Sequence, residues 1–479
     1  AMQSPRLGGF KPVAIVDDNP RIRGMRIRGV EIMGDVDDIA RVAEKKKAEV
    51  VVLAIPSAST SQMYRIVTRC HECGLPLKSV PSFWEIMESD KPSIRRVEDF
   101  STTNLLRRRP VAGDLSVLKD LLEGKRVLVT GAAGSIGSEL CRQIVESGAA
   151  YLACLDKDEN GLFRIERELG DRKPDTDLEF LLGDVKNEQR MEVFFQRARP
   201  EIVFHAAAYK HVPILQFHPE EAVANNVLGT TRLVDAAGRH GVKRFVMIST
   251  DKAVNPTNVM GATKQVAEKV VLGRSESQDT GPMFTIIRFG NVLGSAGSVV
   301  EMFNKQIKNG GPVTVTHPDM ERFFMTIAEA VQLVLFAAAM GKGGDVFVLD
   351  MGEAVKIADL ARQMIRLSGL TPDVDVKVEF IGLRPGEKLY EELWAEGEEP
   401  HKTDNPDIMV ARRQAIDPAF VTEHAGRLVT AALAGDRDGL WDELLTLVPD
   451  FEGNTGSDAE TPPVRPEVAA PDQVGPTPT

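Results

Sequence analysis

Val127-Leu128-Val129-Thr130-Gly131-Ala132-Ala133-Gly134-Ser135-Ile136-Gly137 is the stretch on which the fold turns. An apolar run ends in glycines, and Ser138-Glu139-Leu140-Cys141 opens a helical pattern, so the stretch reads as strand, tight loop, helix. The first-turn N–H groups of such a helix attract a pyrophosphate, and glycines let the backbone approach phosphates that a Cβ would hold off. A tight βα turn without a ligand is the bland alternative, and the strand-to-helix context weighs against it. Gly131, Gly134, Ser135, Ile136 and Gly137 are therefore the expected phosphate contacts. Nineteen positions after Gly137, Asp156 stands at the end of the next apolar run, in Leu155-Asp156-Lys157-Asp158. A carboxylate there accepts from the adenosine ribose and repels a 2′-phosphate, which favours NAD over NADP, while Lys157 pulls the other way.

Working outward, Tyr151–Leu155, Leu178–Leu182, Ile202–His205, Phe245–Ser249 and Phe284–Phe289 read as further strands with helical stretches between them. Strands alternating with helices predict an α/β fold, a Rossmann-type doubly wound parallel sheet covered on both faces. From Asn291 to about Val448 the pattern is mixed, with strands at Val346–Asp350 and Val376–Phe380, as suits a C-terminal substrate-binding subdomain. Upstream, strands at Lys11–Val16 and Val50–Ile55 flank a helical stretch at Val36–Lys47, a smaller Rossmann-like α/β unit with no glycine-rich loop after its first strand. The expected organisation is an N-terminal α/β domain at 1–88, read as short of its opening βα element, then a linker at 89–123 that includes Arg107-Arg108-Arg109-Pro110. The catalytic domain follows at 124–450, its substrate part mainly 291–450, and a disordered Pro- and Thr-rich tail at 451–479.

The chain has 479 residues, 58 basic and 70 acidic, so its formal charge of −12 disfavours nucleic acid or an anionic lipid surface as a partner. No apolar run approaches the ~20 residues of a membrane span, and no signal-peptide pattern opens the sequence. Four cysteines make no disulfide framework, which points to a reducing, cytoplasmic setting. Cys70-His71-Glu72-Cys73, a single C-x-x-C, reads as i,i+3 positions on a helix before Gly74, and no metal site is expected. Ala1-Met2 looks like a cloning scar.

Two further strand ends suit the same dinucleotide. Asp184 in Gly183-Asp184-Val185 is placed to meet the adenine beside Val185, or else simply caps a turn. His205-Ala206-Ala207-Ala208-Tyr209-Lys210 offers small residues against which a nicotinamide ribose could lie, with Ala206, Ala208 and Lys210 as contacts and His205 as a satisfied strand-end histidine. The chemistry is expected at Ser249-Thr250-Asp251-Lys252, where a carboxylate and an ammonium stand side by side at a strand's carboxyl end. Lys264 follows Met260 by one helical turn and shares its face.

The glycine stretch, the Thr250-Asp251-Lys252 stretch and the Met260-x-x-x-Lys264 pair resemble the extended branch of the short-chain dehydrogenase/reductase superfamily. His205 to Pro213, Ser249 to Lys264, Arg288-Phe289-Gly290-Asn291-Val292-Leu293-Gly294-Ser295 and Leu383-Arg384-Pro385-Gly386-Glu387-Lys388-Leu389 narrow the likeness. The chain from about Leu105 to Leu393 is similar to the large, membrane-anchored UDP-N-acetylglucosamine 4,6-dehydratases, often described as polysaccharide biosynthesis proteins. The N-terminal unit looks like the domain that precedes catalysis in that group, where transmembrane helices come first. The resemblance therefore implies a fragment whose full-length form is anchored at the inner membrane by an upstream segment, with this part in the cytoplasm. A homo-oligomer is expected.

The same resemblance implies the site. Most of the superfamily carries Tyr where this chain has Met260, and a thioether cannot take a proton from an alcohol; the large dehydratases share the Met. That favours dehydratase over 4-epimerase and leaves the C4 hydroxyl proton to Thr250 with a bound water or to Asp251. Asn291, Arg322, Arg384 and Glu387 match positions that hold the nucleotide diphosphate and its ribose, and Thr314 lies along the uracil or in an ordinary edge strand. The implied reaction is C4 oxidation by NAD, loss of the C5 proton to Lys252, loss of the C6 hydroxyl as water with Asp251 as acid, and hydride return to C6. Lys264 holds the nicotinamide ribose. A 4-epimerase and a catalytically silent NAD- and sugar-nucleotide-binding scaffold are the alternatives.

Overall fold

The structure, a computed structural model, describes residues 10–55, 58–80, 98–100, 105, 111, 113–172, 175–277, 281–413 and 415–451. The N-terminal unit holds strands β1 (Ile15–Val16), β2 (Arg26–Ile27), β3 (Val30–Gly34), β4 (Val51–Leu53), β5 (Leu77–Ser79) and β6 (Glu98–Asp99). They form two three-stranded sheets, in the orders β1-β3-β2 and β4-β5-β6. The expected first helix is split: Asp35 caps a 3-10 turn over Val36–Asp38, and the α-helix runs Ile39–Lys46. Ser59 opens the Thr60–Glu72 helix with a capping box, in which its hydroxyl accepts from the Gln62 N–H and the Gln62 side chain accepts in return from the Ser59 N–H. Cys70 lies on the buried face of that helix and Cys73 at its end; burial pushes the Cys70 thiol up to about 12, so neither geometry nor acidity suits a reactive pair.

Composition reads 89–123 as linker, yet a helix occupies Ser116–Leu122. Leu118, Leu121 and Leu122 sit at i, i+3 and i+4, so one apolar stripe is buried while the charged residues face water. Leu105 is fully buried as well. The arginines at 107–109, Trp84 and the tail from 452 onward lie outside the described residues.

The main sheet contains β7 (Arg126–Thr130), β8 (Tyr151–Asp156), β9 (Asp177–Leu182), β10 (Ile202–His205), β11 (Arg244–Ile248) and β12 (Met283–Arg288). Three short strands follow, β13 (Asn291–Leu293), β14 (Val313–Val315) and β15 (Glu321–Arg322). Then come β16 (Phe324–Thr326), β17 (Asp345–Leu349), β18 (Val355–Lys356), β19 (Val378–Phe380), β20 (Glu399–Lys402) and β21 (Ile408–Arg412). Nine strands pair in the order β20-β21-β17-β12-β11-β10-β7-β8-β9, parallel from β9 to β17, with the two edge strands β21 and β20 antiparallel. The reversal of strand order at β7 and β10 is the place where a doubly wound sheet opens a crevice at its carboxyl ends.

The central strands read as continuous apolar runs because both faces are covered. Alternate residues serve opposite cores: Val127 and Val129 pack with the Ser135–Glu146 and Ile327–Met340 helices, whereas Leu128, Val203 and Phe245 pack with Phe194, Leu233 and Ala267 on the other side. The Pro418–Ala434 and Arg437–Leu447 helices close over the Val259–Glu276 helix through Ala262, Val266, Leu428 and Leu444. Phe451 stacks on Trp441 at the end of the described chain. The N-terminal unit is not set apart: Val36, Met63, Ile66 and Cys70 share one apolar cluster with Phe303, Ile307, Leu360 and Met364 of the substrate-side region. Among the described residues no helix is long and apolar enough to cross a membrane.

Candidate active site

At the carboxyl end of β7 the chain turns sharply. Gly131 has φ +71°, and a Cβ on it would lie 2.6 Å from the Ala207 backbone nitrogen. A Cβ on Gly137 would lie 2.0 Å from the Gly131 carbonyl oxygen, so only glycine lets the Ser135–Glu146 helix seat on its own loop. Gly134 caps that helix without a side-chain acceptor, leaving first-turn N–H groups without side-chain partners at Ser135, Ile136 and Gly137. The donor set and the cradle that any Cβ would fill fit a dinucleotide pyrophosphate. Asp156 is fixed beside the loop: Oδ2 accepts the Ala133 N–H at 2.9 Å and Oδ1 the Asp158 N–H at 2.9 Å. Lys157 lies over the Tyr209 ring, 4.0 Å from its centroid.

A cavity of about 630 Å³ opens on this loop. Gly131, Gly134, Ser135, Ile136, Gly137, Ala206, Ala208 and Lys210 line it from the nucleotide side, and Thr250, Lys252, Met260, Lys264, Asn291, Thr314, Arg322, Arg384 and Glu387 from the other. Asp156, Asp184, Val185 and Asp251 are not in its wall. Asp184 caps a turn, accepting the Lys186 N–H at 2.9 Å, and Val185 is buried against Gly229. His205 is satisfied on both ring nitrogens, by Thr130 Oγ1 at 2.8 Å and Thr230 Oγ1 at 2.9 Å, and burial pushes it down to about 3. It is a neutral structural imidazole.

After β11, Thr250 caps a 3-10 turn over Asp251–Ala253. Asp251 is fully buried at its side chain; its Oδ1 accepts from Lys252 Nζ at 3.0 Å and from Thr250 Oγ1 at 2.9 Å. Its Oδ2 has no partner, a buried carboxylate oxygen beside Gly290, which does line the cavity. Burial raises the Asp251 carboxyl, further helped by Glu391 and opposed by Lys252. Burial acts to lower the Lys252 ammonium, but Asp251 and Glu391 outweigh it and its pKa ends above the ordinary lysine value. Lys252 Nζ also reaches Asn291 Oδ1 at 3.3 Å, and the Asn291 amide is oriented by donating to the Phe323 carbonyl at 3.1 Å.

Met260 is buried on the face of the Val259–Glu276 helix that carries Lys264. Lys264 Nζ donates to the Ile248 carbonyl at 2.7 Å, and burial lowers it to about 8. Thr314 accepts from Gln306 Nε2 at 2.8 Å. The Arg384–Glu387 turn is tied to the helix start, the Gly386 carbonyl accepting from Thr257 Oγ1 at 3.1 Å and Asn258 Nδ2 at 3.0 Å. Arg322, in the cavity wall, is held by backbone oxygens: Nη1 donates to the Glu321 carbonyl at 2.7 Å and the Leu389 carbonyl at 3.1 Å, and Nη2 to the Lys388 carbonyl at 2.7 Å.

Sequence reasoning missed Glu391, whose side chain is 4% exposed and lies 3.3 Å from Lys252 Nζ. It also missed the buried Glu268–Arg288–Glu398 network beneath the site and the π-helical turn Val223–Leu228, whose Asn226 fixes the Tyr209 backbone at both N–H and carbonyl. Glu391 abuts the Arg384–Leu389 motif in sequence; nothing in that spacing says it turns inward. Among the described residues no group of three or more His, Cys, Asp or Glu is arranged to hold a metal.

Comparison with known proteins bears on this geometry. The family profile described as polysaccharide biosynthesis protein matches residues 127–413, and a CoA-binding domain profile matches residues 1–81. The probable polysaccharide biosynthesis protein EpsC of Bacillus subtilis is 41% identical over 92% of this chain and 69% of its own length. The capsular polysaccharide biosynthesis protein CapD of Staphylococcus aureus is 44% identical over 80% of this chain and 64% of its own. This chain thus spans about two thirds of those relatives. A Rickettsia canadensis protein named UDP-glucose 4-epimerase is 37% identical over 56% of this chain and 77% of its own. Among solved structures, Pen from Bacillus thuringiensis matches with TM-score 0.56 at 34% identity, over 61% of this chain and 87% of its own. With the glycine cradle, the switch-point cavity and a profile match over most of the chain, the protein belongs to the polysaccharide biosynthesis protein family, on the extended short-chain dehydrogenase/reductase fold.

Proposed function

We propose that this chain is an NAD-dependent nucleotide-sugar enzyme, and specifically a 4,6-dehydratase acting on UDP-N-acetylglucosamine. The observation that carries the reading is the Asp251–Lys252 pair, hydrogen-bonded to each other at the carboxyl end of β11, with Lys252 in the wall of the same cavity as the glycine cradle. The first-turn amides at Ser135–Gly137 would hold the NAD pyrophosphate, Asp156 the adenosine ribose and Lys264 the nicotinamide ribose. Bound NAD supplies a reversible redox step, taking electrons from the sugar at C4 and returning them at C6, with no net oxidation.

The chain's own part is proton handling. Lys252 stands as an ammonium between two carboxylates, and to accept the C5 proton it must first release one. Asp251 Oδ1, 3.0 Å away, is the nearest acceptor identified, and burial favours its protonated form. One transfer along that hydrogen bond yields amine and carboxylic acid together, the state in which Nζ takes the C5 proton and Asp251 gives its proton to the departing C6 hydroxyl. The pair is then back at ammonium and carboxylate with one water lost; as C6 is reduced, Nζ would give a proton back to C5, and the proton released by the C4 hydroxyl would replace it. Thr250 Oγ1 is hydrogen-bonded to the same Asp251 oxygen, so the two groups open to the C4 hydroxyl proton lie on one path.

Epimerisation is the second reading, favoured by the Rickettsia relative's name and opposed by Met260, whose thioether carries no proton. Incubation with UDP-N-acetylglucosamine and mass analysis decides: dehydration removes one water, epimerisation leaves the mass unchanged. An unchanged mass with inverted C4 would overturn the dehydratase reading.

A further inference from the structure

We propose that Glu391 is a positioning residue for Lys252, a second carboxylate on its ammonium that holds Nζ in the cavity wall and sets how readily it releases its proton. The inference rests on the dehydratase reading for its catalytic meaning and on geometry for its existence. Glu391 lies 3.3 Å from Lys252 Nζ and 3.4 Å from Arg322 Nε, with its side chain 4% exposed. Unlike Asp251, it lines the cavity.

Arg322 explains how Glu391 stays there. Its terminal nitrogens are engaged with the carbonyls of Glu321, Lys388 and Leu389, so it clamps the strand end β15 to the segment that carries Glu391. Its Nε then faces Glu391, and Glu387 approaches its Nη2 at 3.9 Å. The groups facing Lys252 are thus Asp251 on its own turn, Asn291 from β13, Arg322 from β15 behind Glu391, and Glu391 itself. Two cations and two carboxylates balance one another, and a buried ammonium in such a site titrates according to which neighbours remain charged. Asp251 is the partner that must become neutral in the elimination. Glu391 keeps a negative charge on Lys252 at that moment, so Nζ is not left as an unpaired buried cation when it receives the C5 proton. It also ties the base to the segment around Arg384, where the sugar nucleotide is expected.

A purely structural role, anchoring that segment to Arg322, would leave the titration of Lys252 unmoved. Two readouts test the proposal on the full chain. In protein carrying isotope-labelled lysine, the Lys252 signal is identified by its loss in Lys252→Met and titrated by NMR. Glu391→Gln should lower the Lys252 pKa by about one unit or more, and Glu391→Asp, whose carboxylate sits one methylene further back, by less. If Glu391→Gln does not fold, a downward shift in Glu391→Asp carries the test. In turnover, the limb of the kcat–pH profile that reports the free amine should move to lower pH by the same amount in Glu391→Gln, with KM within about threefold of wild type. An unmoved Lys252 titration in the folded variants overturns the proposal. Wild-type protein that yields no dehydrated sugar overturns the proposed function instead, and the NMR titration still decides the role of Glu391.

Discussion

Replacing Lys252 by methionine keeps most of the side chain's length and removes its charge. Two losses follow from the geometry. The first is chemical: on the proposed assignment, without Nζ no group of the pair would take the C5 proton, and a positioned base of this kind contributes ~10²–10⁴-fold, about 2.7–5.5 kcal/mol of barrier. The second is electrostatic, because the ammonium 3.0 Å from Asp251 and 3.3 Å from Glu391 is what keeps two buried carboxylates tolerable. Removing one member of a buried ion pair costs about 3–5 kcal/mol while the orphaned charge persists. A carboxylate escapes that cost by taking a proton. Burial already raises Asp251, and Lys252 opposes that rise, so its loss widens the gap between the folded pKa and the unfolded one. The folded variant then binds more protons than the unfolded chain, and its stability falls as pH climbs from the ordinary carboxylate range toward the raised value. The melting temperature should therefore trail wild type by more at about pH 8 than at about pH 5. Thermal melts at both pH values, and incubation with UDP-N-acetylglucosamine in deuterated water, read the two losses separately. Neither dehydrated product nor deuterium at C5 is expected. Near wild-type turnover would refute the assignment of Lys252 as base, and a melting gap that shrinks with pH would refute its electrostatic hold on Asp251.

Asp251→Asn removes the acceptor for the Lys252 proton as well as the acid, so loss of the C6 hydroxyl should slow by ~10²–10⁴-fold and C5 exchange with deuterated solvent should slow with it; C5 exchange at the wild-type rate would show that Lys252 releases its proton elsewhere. Nucleotide extracted from the purified protein should be NAD, because Asp156 is held in place by the Ala133 and Asp158 N–H groups; recovery of mainly NADP would show that Lys157 governs the ribose site. Gly137→Ala forces a methyl to within 2.0 Å of the Gly131 carbonyl, so the helix must lift from the loop, and NAD binding by calorimetry should weaken at least about tenfold, a cost of about 1.4 kcal/mol. Lys264 is lowered to about 8 by burial, so its charge is present below that pH and lost above it; NAD binding should weaken as pH rises through about 8, and Lys264→Arg should flatten that dependence.

The core strands were legible because each is a continuous apolar run buried on both faces, and β10 matches its sequence reading residue for residue. On the substrate side the strand read at Val376–Phe380 forms over Val378–Phe380, but the pairings of the short strands there were not legible. Val313–Val315 pairs with Val378–Phe380 and Glu321–Arg322 with Val355–Lys356, pairings that no local period announces. Ser116–Leu122 was hidden for the opposite reason: its leucines are helically spaced, but charged neighbours made the average composition look like linker. At the site, the sequence placed Thr250, Asp251 and Lys252 together because they are adjacent. It could not place Glu391 or show what holds the Arg322 guanidinium, since both depend on where the chain returns after a long excursion.

Two buried ion networks lie against β11 and β12, and their difference separates scaffold from chemistry. In the lower one, Arg288 donates to both Glu268 oxygens and both Glu398 oxygens at 2.7–3.1 Å, locking the Val259–Glu276 helix to the sheet and to the turn before β20. Every carboxylate oxygen there has a donor, and removing Arg288 would strand two buried charges. The upper one is left incomplete: Asp251 Oδ2 is buried without a partner, while its other oxygen accepts from both Thr250 and Lys252. An unpaired buried oxygen is costly in a resting protein, and protonation or a hydroxyl brought against it relieves the cost. The carboxylate that the fold leaves unsatisfied is the one proposed to protonate a departing hydroxyl, and on that proposal the substrate would supply the hydroxyl that the protein does not.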